Sequence, residues 1–358
     1  MRSLPRTLPW NLTDLAKVEK NGFNVMSTFA CGGGSTMGYK RAGFDVIAAN
    51  DIDPQMAEHY KRNHHPKHYY LMPVGELVKL AKARELPAEL YSLDILDGSP
   101  PCSSFSMAGN REKDWGKDKH FREGQAKQVL DDLFFDYLDL VEALRPRVSI
   151  AENVKGIITG AAKGYTKEIV TRYRALGYSV QVFLIDASSC GVPQRRERVF
   201  FVASQTDKRI DIQPSDKPIT VREAWQDLPG GDVVPELLTA ARAPVAHVLY
   251  ARTRKGESFG KASLRERGVN NSFTRVRLND NDHAPTLTAH YGDYYHPTLP
   301  RSVSQFEFAR LGAFPDDYWS VSASVHKYMV GMSVPPFMTQ VVAEAVRDQW
   351  LVRNSTES

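Results

Sequence analysis

The chain has 358 residues, of which 42% are hydrophobic and 25% are charged, and its formal net charge is +4. With a mean hydropathy of −0.39, this composition is typical of a globular protein and excludes collagen-like, disordered and coiled-coil classes. The length predicts about two folding units, no apolar run reaches the roughly eighteen residues of a membrane span, and the three cysteines cannot form a disulfide framework. We therefore expect a cytoplasmic protein that does not enter the membrane.

Strands and helices are predicted to alternate through the first 204 residues. Short β-branched apolar runs predict strands at residues 23–30, 44–50, 93–97, 148–152, 180–186 and 199–203. Helical spacing of apolar residues predicts helices at 54–63, 128–144, 165–176, 305–311 and 335–346. Such alternation indicates an α/β fold with a Rossmann-like, mainly parallel sheet. Residues 205–284 are rich in Pro, Gly, Asn, Asp and Arg, which predicts a small irregular domain or a large insertion.

The positive charge is concentrated within this irregular region. Residues 242–277 contain nine basic and two acidic side chains, so their charge of +7 exceeds that of the whole chain. A segment of this kind is typical either of a solvated loop surface or of a surface that binds an acidic partner. The charge pattern alone leaves both interpretations open.

A glycine-rich turn at residues 29–36 follows the first predicted strand and precedes a helix. It carries Met37 where the dinucleotide fingerprint needs glycine, and it lacks the Lys-Ser or Lys-Thr pair of a phosphate loop after Gly38. Asp51 ends the second predicted strand, where a carboxylate commonly accepts hydrogen bonds from ribose hydroxyls. An adenosine-like ligand without a pyrophosphate fits both observations and indicates S-adenosylmethionine. The alternative is a turn that only allows the strand and the helix to pack.

Several groups suited to catalysis lie next to predicted strands. Cys102 follows the third strand after Gly-Ser-Pro-Pro, so we expect it at the carboxyl edge of the sheet. Glu152 ends the next strand, and Arg196 and Arg198 precede the last strand at alternating positions that share one face. Taken singly, Glu152 could be a surface charge and the arginines could pair with Glu197. Their convergence beside a ligand-binding turn predicts a catalytic site.

Four segments of the chain occur in a characteristic order. They are residues 100–102 (Pro-Pro-Cys), 152–154 (Glu-Asn-Val), 194–198 (Gln-Arg-Arg-Glu-Arg) and 309–318 (Ala-Arg-Leu-Gly-Ala-Phe-Pro-Asp-Asp-Tyr). In this order the chain resembles the DNA (cytosine-5)-methyltransferase family from about residue 23 to residue 346. The resemblance implies a catalytic domain in two parts, 23–204 and 285–358, after an N-terminal extension at 1–22. It also implies that residues 205–284, with their basic segment, form an inserted target-recognition domain.

The resemblance implies sequence-specific transfer of a methyl group from S-adenosylmethionine to carbon 5 of a DNA cytosine. Carbon 5 is a weak nucleophile, so the thiolate of Cys102 would first add at carbon 6. A protonated Glu152 would hydrogen-bond N3, while Arg198 and the neighbouring Arg196 would hold the base. Because the base cannot be reached inside a duplex, it would be flipped out of the helix.

Ligand contacts are also implied by the resemblance, and no metal is among them. Cofactor contacts would come from Phe29, Ala30, Gly32, Gly34, Asp51, Ile52, Glu76, Pro101, Leu133, Met332 and Ser333. DNA contacts would come from Ser104, Arg252, Arg254, Arg275, Arg277 and Thr286. The chain departs from the family pattern at Cys31, where glycine is usual, at Ile52, where an aromatic residue is common, and at Met332, where asparagine is common.

Two alternatives to a DNA methyltransferase stay open. One branch of the family methylates tRNA, so a tRNA cytosine-5 methyltransferase is the first, and a catalytically silent DNA-binding homologue is the second. The basic insertion favours double-stranded DNA as the partner, and the presence of Cys102, Glu152 and Arg198 argues against a silent homologue. We expect a monomer. Whether a cognate restriction endonuclease accompanies it is left open.

Overall fold

The computed structural model describes residues 3–101, 118–119, 128–129, 133–229, 234–269, 275–289 and 294–351. The strands are β1 (Asn24–Thr28), β2 (Asp45–Asp51), β3 (His68–Leu71), β4 (Ile95–Gly98), β5 (Asp118–Lys119), β6 (Gln128–Val129), β7 (Val148–Val154), β8 (Ser179–Asp186), β9 (Glu197–Ser204), β10 (Val276–Arg277) and β11 (Tyr294–Tyr295). The α-helices are α1 (Gly34–Arg41), α2 (Pro54–His64), α3 (Val74–Lys82), α4 (Leu133–Leu144), α5 (Lys163–Ala175), α6 (Val221–Ala224), α7 (Pro244–Arg252), α8 (Phe259–Arg267), α9 (Gln305–Leu311), α10 (Ala323–Met332) and α11 (Pro336–Gln349).

Seven strands form one central sheet in the order β3-β2-β1-β4-β7-β9-β8. The first five of these strands pair in parallel, whereas β9 runs antiparallel to both β7 and β8. The mainly parallel α/β sheet expected from the sequence is confirmed. Strand order reverses between β1 and β4, so a crevice is expected outside the carboxyl ends of these two strands, which is where such sheets bind ligands.

All six predicted strands and all five predicted helices are present, but one helix is wrong at its start. The spacing predicted a helix from residue 128, whereas residues 128–129 form β6, which pairs with β5, and α4 begins at Leu133. Apolar spacing over a few residues does not separate a helix from a strand. The edge strand β3 and the helices α3, α6, α7, α8 and α10 were not predicted from the sequence.

The two faces of the sheet bury separate apolar clusters. One face packs against α1, α9, α10 and α11 through residues such as Met37, Phe200 and Phe337. The other packs against α3, α4 and α5. The apolar positions predicted for α4 explain its place there, because the face that carries Tyr137 and Val141 is fully buried.

The irregular region after β9 packs in two ways. Its first part, 205–229, joins the α1 face of the sheet through buried residues such as Ile210 and Val221. The later part encloses a small apolar cluster of its own, in which Tyr250 of α7, Phe259 of α8 and Tyr295 of β11 meet. The separate cluster therefore begins after residue 229 and continues past residue 284.

The N-terminal segment, residues 3–22, lies across α1, α11 and the turn that follows α9. Trp10 is only 5% exposed, its indole N–H donates to the Ala313 carbonyl at 3.0 Å, and its ring lies 4.3 Å from the Arg41 guanidinium carbon. Arg6 pairs with Glu344 of α11 at 2.6 Å. The N-terminal segment thus connects α1 to α11, the first and the last of the helices described.

Candidate active site

The turn between β1 and α1 has an unusual backbone. Phe29 has a φ of 53°, Cys31 a φ of 44° and Gly33 a φ of 74°, so left-handed residues alternate with ordinary ones. Glycine adopts such angles freely, but each non-glycine residue there costs about 1–3 kcal/mol. The turn therefore keeps its shape only because surrounding groups hold it.

Asp51, at the end of β2, is one of the groups that hold the β1–α1 turn. Its carboxylate accepts hydrogen bonds from the backbone amides of Cys31 at 2.7 Å, Ile52 at 2.7 Å and Asp53 at 2.9 Å. Burial raises the pKa of Asp51 above its usual value despite these bonds. A carboxylate offers about four acceptor positions, so one remains for a ligand hydroxyl.

The other side of the turn meets the segment between α10 and α11. A Cβ atom on Gly34 would lie 2.2 Å from the Val334 carbonyl oxygen and 2.7 Å from Ser333 Cβ, so only glycine permits this approach. The Ser333 hydroxyl is buried and has no hydrogen-bond partner among the described residues. An unsatisfied buried hydroxyl beside a glycine cradle is suited to a polar ligand.

The remaining predicted cofactor residues differ in their surroundings. Two of them, Ala30 and Leu133, are buried. Around the carboxyl ends of the strands, four more are buried or half-buried: Phe29, Gly32, Ile52 and Pro101. Met332 is 47% exposed. Glu76 is exposed in the first turn of α3 and pairs with Lys79 at 2.7 Å. Glu76 therefore has a solvent-exposed partner instead of a buried environment.

Glu152 and Arg198 form an ion pair at the carboxyl edge of β7. Arg198 Nε lies 2.9 Å from Glu152 Oε1, and both side chains are largely buried. The contact arises because β9 runs antiparallel to β7, with Phe200 opposite Glu152 and Arg198 one diagonal step away. Burial lowers the pKa of Arg198, and the Glu152 charge opposes that shift. Glu152 Oε2 has no hydrogen-bond partner in the described part of the chain and is available to a ligand.

Arg196 lies beside this pair but binds the backbone. Its guanidinium donates to the Leu287 carbonyl at 2.9 Å and to the Gly331 carbonyl at 3.0 Å, and burial lowers its pKa to about 9. These contacts connect the start of β9 to the segment that returns after the irregular region. A direct contact of Arg196 with a base stays a prediction.

Asp97 is a buried carboxyl group that the sequence analysis did not assign to a role. It accepts hydrogen bonds from Ser27 Oγ at 2.8 Å and Tyr39 Oη at 3.0 Å, and it lies on the same face of the sheet as Glu152. Burial raises the pKa of Asp97 to about 7. An aspartate within an otherwise apolar strand is the pattern that could have indicated it.

Cys102 and Ser104 lie outside the described residues. The last described residues before them are fixed at the carboxyl edge of the sheet, because Asn153 of β7 donates to the Pro100 carbonyl at 3.0 Å. The chain thus leads toward Cys102 from the same edge that carries Glu152. The role of Cys102 itself stays a prediction.

The predicted DNA-binding arginines are not equivalent. Arg254 is exposed, and its guanidinium makes no hydrogen bond or ion pair with the described residues. Arg252 pairs with Glu266 at 3.1 Å. Arg277 donates to the carbonyls of Tyr250, Thr253 and Pro297, and its guanidinium stacks 4.5 Å from the Tyr250 ring.

The last two predicted DNA contacts, Arg275 and Thr286, also have surroundings that constrain them. Arg275 is half-buried next to α7 and α8, and its carbonyl accepts from the Phe259 amide. Thr286 is exposed and donates to the Arg195 carbonyl at 2.7 Å. Acidic side chains also neutralise part of the basic segment, as in the Arg265–Glu257 and Lys255–Asp280 pairs.

Within the described ranges, no helix is long and apolar enough to cross a membrane. The same ranges contain no group of three or more His, Cys, Asp and Glu side chains suited to a metal ion. The histidines near the end of α2 have other contacts, since His64 Nε2 lies 3.3 Å from the Gly32 carbonyl.

Known proteins resemble the chain over most of its length. The chain is 27% identical to the Type II methyltransferase M.DdeI of Desulfomicrobium norvegicum, covering 92% of this chain and 89% of that protein. It is 26% identical to the Type II methyltransferase M.NgoPII of Neisseria gonorrhoeae, covering 91% and 96%. A solved E. coli structure, a putative DNA modification methyltransferase encoded within a prophage, covers 91% of this chain and 99% of its own, with a TM-score of 0.69 and 22% identity.

A second solved structure, the Dnmt2 methyltransferase of S. pombe, has a TM-score of 0.60 at 16% identity and covers 91% of this chain and 98% of its own. Both structures support the same fold. The family model for C-5 cytosine-specific DNA methylases matches residues 23–348. It confirms the resemblance seen in the sequence motifs, and the chain therefore belongs to the C-5 cytosine-specific DNA methylase family.

Proposed function

We propose that this enzyme methylates cytosine within a specific DNA sequence, using S-adenosylmethionine and a covalent adduct between Cys102 and carbon 6 of a flipped-out base. The observation that carries the proposal is the buried Glu152–Arg198 pair, with one free carboxylate oxygen, at the edge of the sheet that leads to Cys102. Doubly wound sheets place their chemistry at this edge.

The β1–α1 turn fits the proposed cofactor. Asp51 retains an acceptor position for ribose hydroxyls, and the unpartnered Ser333 hydroxyl and the close approach of Gly34 form a polar cradle. S-adenosylmethionine supplies an electrophilic methyl group when bound. The chain's own contribution is to bind and orient that ligand beside the Glu152–Arg198 pair.

The proposed reaction of the cytosine base follows from the side chains at the carboxyl edge of the sheet. The Cys102 thiolate adds to carbon 6, which transfers electron density to carbon 5. Glu152 in its protonated form donates a hydrogen bond to N3 from the oxygen that Arg198 leaves free, and Arg198 holds Glu152 in place. Carbon 5 would then accept the methyl group, with S-adenosylhomocysteine as the other product. It would lose its proton to a water molecule as the double bond between carbons 5 and 6 re-forms and the Cys102 thiolate leaves carbon 6. We infer that Arg196 supports this site by holding the Leu287 and Gly331 carbonyls.

We infer that DNA phosphates bind the exposed cations of α8 and its neighbourhood that form no ion pair with the described residues, which are Arg254, Lys261 and Arg267. The contacts of Arg277 with three carbonyls support a role in the scaffold of this region. The packing supports a recognition domain that begins after residue 229 and includes β11. A cytoplasmic, monomeric enzyme remains part of this proposal.

The proposal is tested by incubating the protein with S-adenosylmethionine that carries a labelled methyl group and with mixed-sequence duplex DNA. We expect 5-methylcytosine at one short sequence motif, mapped by bisulfite conversion. Cys102→Ala should abolish turnover. Cys190→Ala is the matched control, because Cys190 is fully buried and burial raises the pKa of its thiol to about 12, so it cannot act as a nucleophile.

Two further arms separate the alternatives. Duplex DNA that contains 5-fluorocytosine should trap the parent protein covalently and leave Cys102→Ala untrapped, whereas a silent homologue would trap in neither case. A tRNA transcript should accept no more than background label. Methylation of tRNA without methylation of DNA would refute the proposed substrate.

A further inference from the structure

The Gly32 carbonyl in the middle of the β1–α1 turn accepts two hydrogen bonds from distant parts of the chain. The Tyr318 hydroxyl donates to it at 2.7 Å, and His64 Nε2 lies 3.3 Å from it. Tyr318 follows α9 and His64 ends α2, and both side chains are almost completely buried. The amide on the other side of the same peptide, Gly33 N–H, donates to the Ala30 carbonyl at 2.8 Å. Both polar atoms of this peptide are therefore held.

His64 is a fixed neutral donor beneath the turn. Burial lowers the pKa of His64 to about 3, so the ring is neutral at ordinary pH and Nε2 carries its proton when it donates to Gly32. A Cβ atom on Gly33 would lie 2.2 Å from Nε2, which shows how closely the ring packs against the turn. Lys40 Nζ donates to the His64 carbonyl at 2.8 Å and fixes the end of α2 against α1.

The Tyr318 hydroxyl is held in position by its neighbours. The ring packs edge-on against Phe314 at 5.5 Å and His326 at 5.8 Å, and the next residue, Trp319, is held through hydrogen bonds with Asn63. The shorter of the two bonds to the Gly32 carbonyl thus comes from a rigid donor on the segment that returns after the recognition domain.

A turn with two strained non-glycine residues needs such external contacts. Phe29 and Cys31 both lie in the left-handed region, so a turn released from its contacts would move toward lower-energy conformations. We propose that Tyr318 is a positioning residue for the cofactor, whose hydroxyl, together with the His64 ring, holds the Gly32 carbonyl and keeps the β1–α1 turn in the shape that binds S-adenosylmethionine. This inference rests on the proposed cofactor role of the turn.

The effect on catalysis follows from the populations of the turn. If some of the free protein molecules have a relaxed turn, the cofactor binds only the molecules whose turn is in the binding shape. The apparent affinity is then the intrinsic affinity multiplied by the fraction of such molecules. Loss of one buried hydrogen bond corresponds to about a five- to tenfold change in such an equilibrium. Saturating cofactor restores the competent turn, so the turnover number should change little.

The test compares Tyr318→Phe with Tyr178→Phe. The Tyr178 hydroxyl also donates to a backbone carbonyl, that of Pro146 at 2.6 Å, and Tyr178 is equally buried but belongs to the α5–β8 connection. We expect the KM for S-adenosylmethionine to rise in Tyr318→Phe, by at most about five- to tenfold, with kcat within twofold of the parent. Tyr178→Phe should keep the parental KM even if its melting temperature falls.

His64→Leu provides a second variant, which removes the longer bond and should raise KM in the same direction. Melting curves with and without S-adenosylmethionine report folding and binding together. A KM in Tyr318→Phe equal to that of the parent, or a fall in kcat at unchanged KM, would overturn the inference. A parent protein that does not bind S-adenosylmethionine would instead refute the proposed function.

Discussion

Truncation of Trp10 to alanine tests whether the N-terminal segment is part of the folded domain. The family match begins at residue 23, yet Trp10 is 5% exposed, its ring lies 4.3 Å from the Arg41 guanidinium of α1 and its ring centroid lies 6.5 Å from that of Phe337 in α11. Its indole N–H also donates to Ala313. The variant would therefore remove an aromatic ring that contacts both α1 and α11, two helices from opposite ends of the chain.

The magnitude follows from these contacts. Removing a buried tryptophan ring typically costs about 3–5 kcal/mol, and this range already contains part of the cation–π and hydrogen-bond terms, about 1 kcal/mol each. We expect Trp10→Ala to lower the free energy of unfolding by about 4 kcal/mol. Against a total of about 5–15 kcal/mol, this is a large loss. Trp10→Phe should keep the stacking on Arg41 and lose about 1–2 kcal/mol.

Urea denaturation followed by far-ultraviolet circular dichroism measures the loss. Trp350→Ala is the matched control, because the Trp350 indole N–H also donates to a carbonyl at 3.0 Å, that of Lys208, but its ring is only partly buried. A loss below about 1 kcal/mol for Trp10→Ala, equal to that of the control, would refute the assignment of residues 3–22 to the core.

Three further predictions concern the candidate site and the proposed recognition domain. Burial raises the pKa of Asp97 to about 7, so the protonated carboxyl group adds to the free energy of unfolding below the unfolded pKa, and this contribution is lost as the pH rises toward 7. Asp97→Asn should therefore flatten the decline of the free energy of unfolding with pH in urea titrations. An identical decline in both proteins would contradict this reasoning. Arg198→Lys should lower kcat about 10- to 100-fold, since lysine cannot reproduce the Nε contact with Glu152, and an unchanged kcat would count against the pair. Arg254→Ala should reduce the slope of log Kd for DNA against log salt by about 1 without changing Tm. Arg277→Ala should instead lower the free energy of unfolding by about 2 kcal/mol, because its bonds to backbone carbonyls are lost. Equal effects of the two variants would refute their separate roles.

The meeting of Glu152 and the two arginines at the carboxyl edge of the sheet was predictable, because these residues follow local rules. Glu152 ends an apolar strand, and Arg196 and Arg198 alternate before another, so their shared edge could be expected from strand geometry. Their direct contact could not, because it requires β9 to run antiparallel in a sheet that is otherwise parallel along this side. The orientation of a strand depends on how the chain connects, and the apolar pattern is the same in both directions.

Contacts to backbone carbonyls explain most of what the sequence could not predict. Arg277 lies in a basic segment and was therefore expected to contact DNA, but its guanidinium binds carbonyls at positions far apart in the chain. Every residue has a carbonyl, so no residue type marks such a partner. The same reason hid the Tyr318 and His64 contacts with Gly32. The strand β3 was missed because its sequence, His-Tyr-Tyr-Leu, lacks the apolar alternation of a buried strand.

The reversed direction of β9 has a consequence for how specificity can change. The strand begins at the catalytic edge and ends at Ser204, opposite Val148, on the far edge of the sheet. At about 3.4 Å per residue the chain has moved roughly 25 Å away from the site, and it is back beside the end of β8 at Asp216, whose amide donates to the Ser189 carbonyl at 2.9 Å. The connector after residue 204 therefore has to span a fixed distance, and the reciprocal hydrogen bonds between Gln181 and Ile210 hold its middle against β8. If the proposed recognition domain were exchanged for another and this connector were shortened, the new domain would bring its own DNA contacts but would not reach the target base.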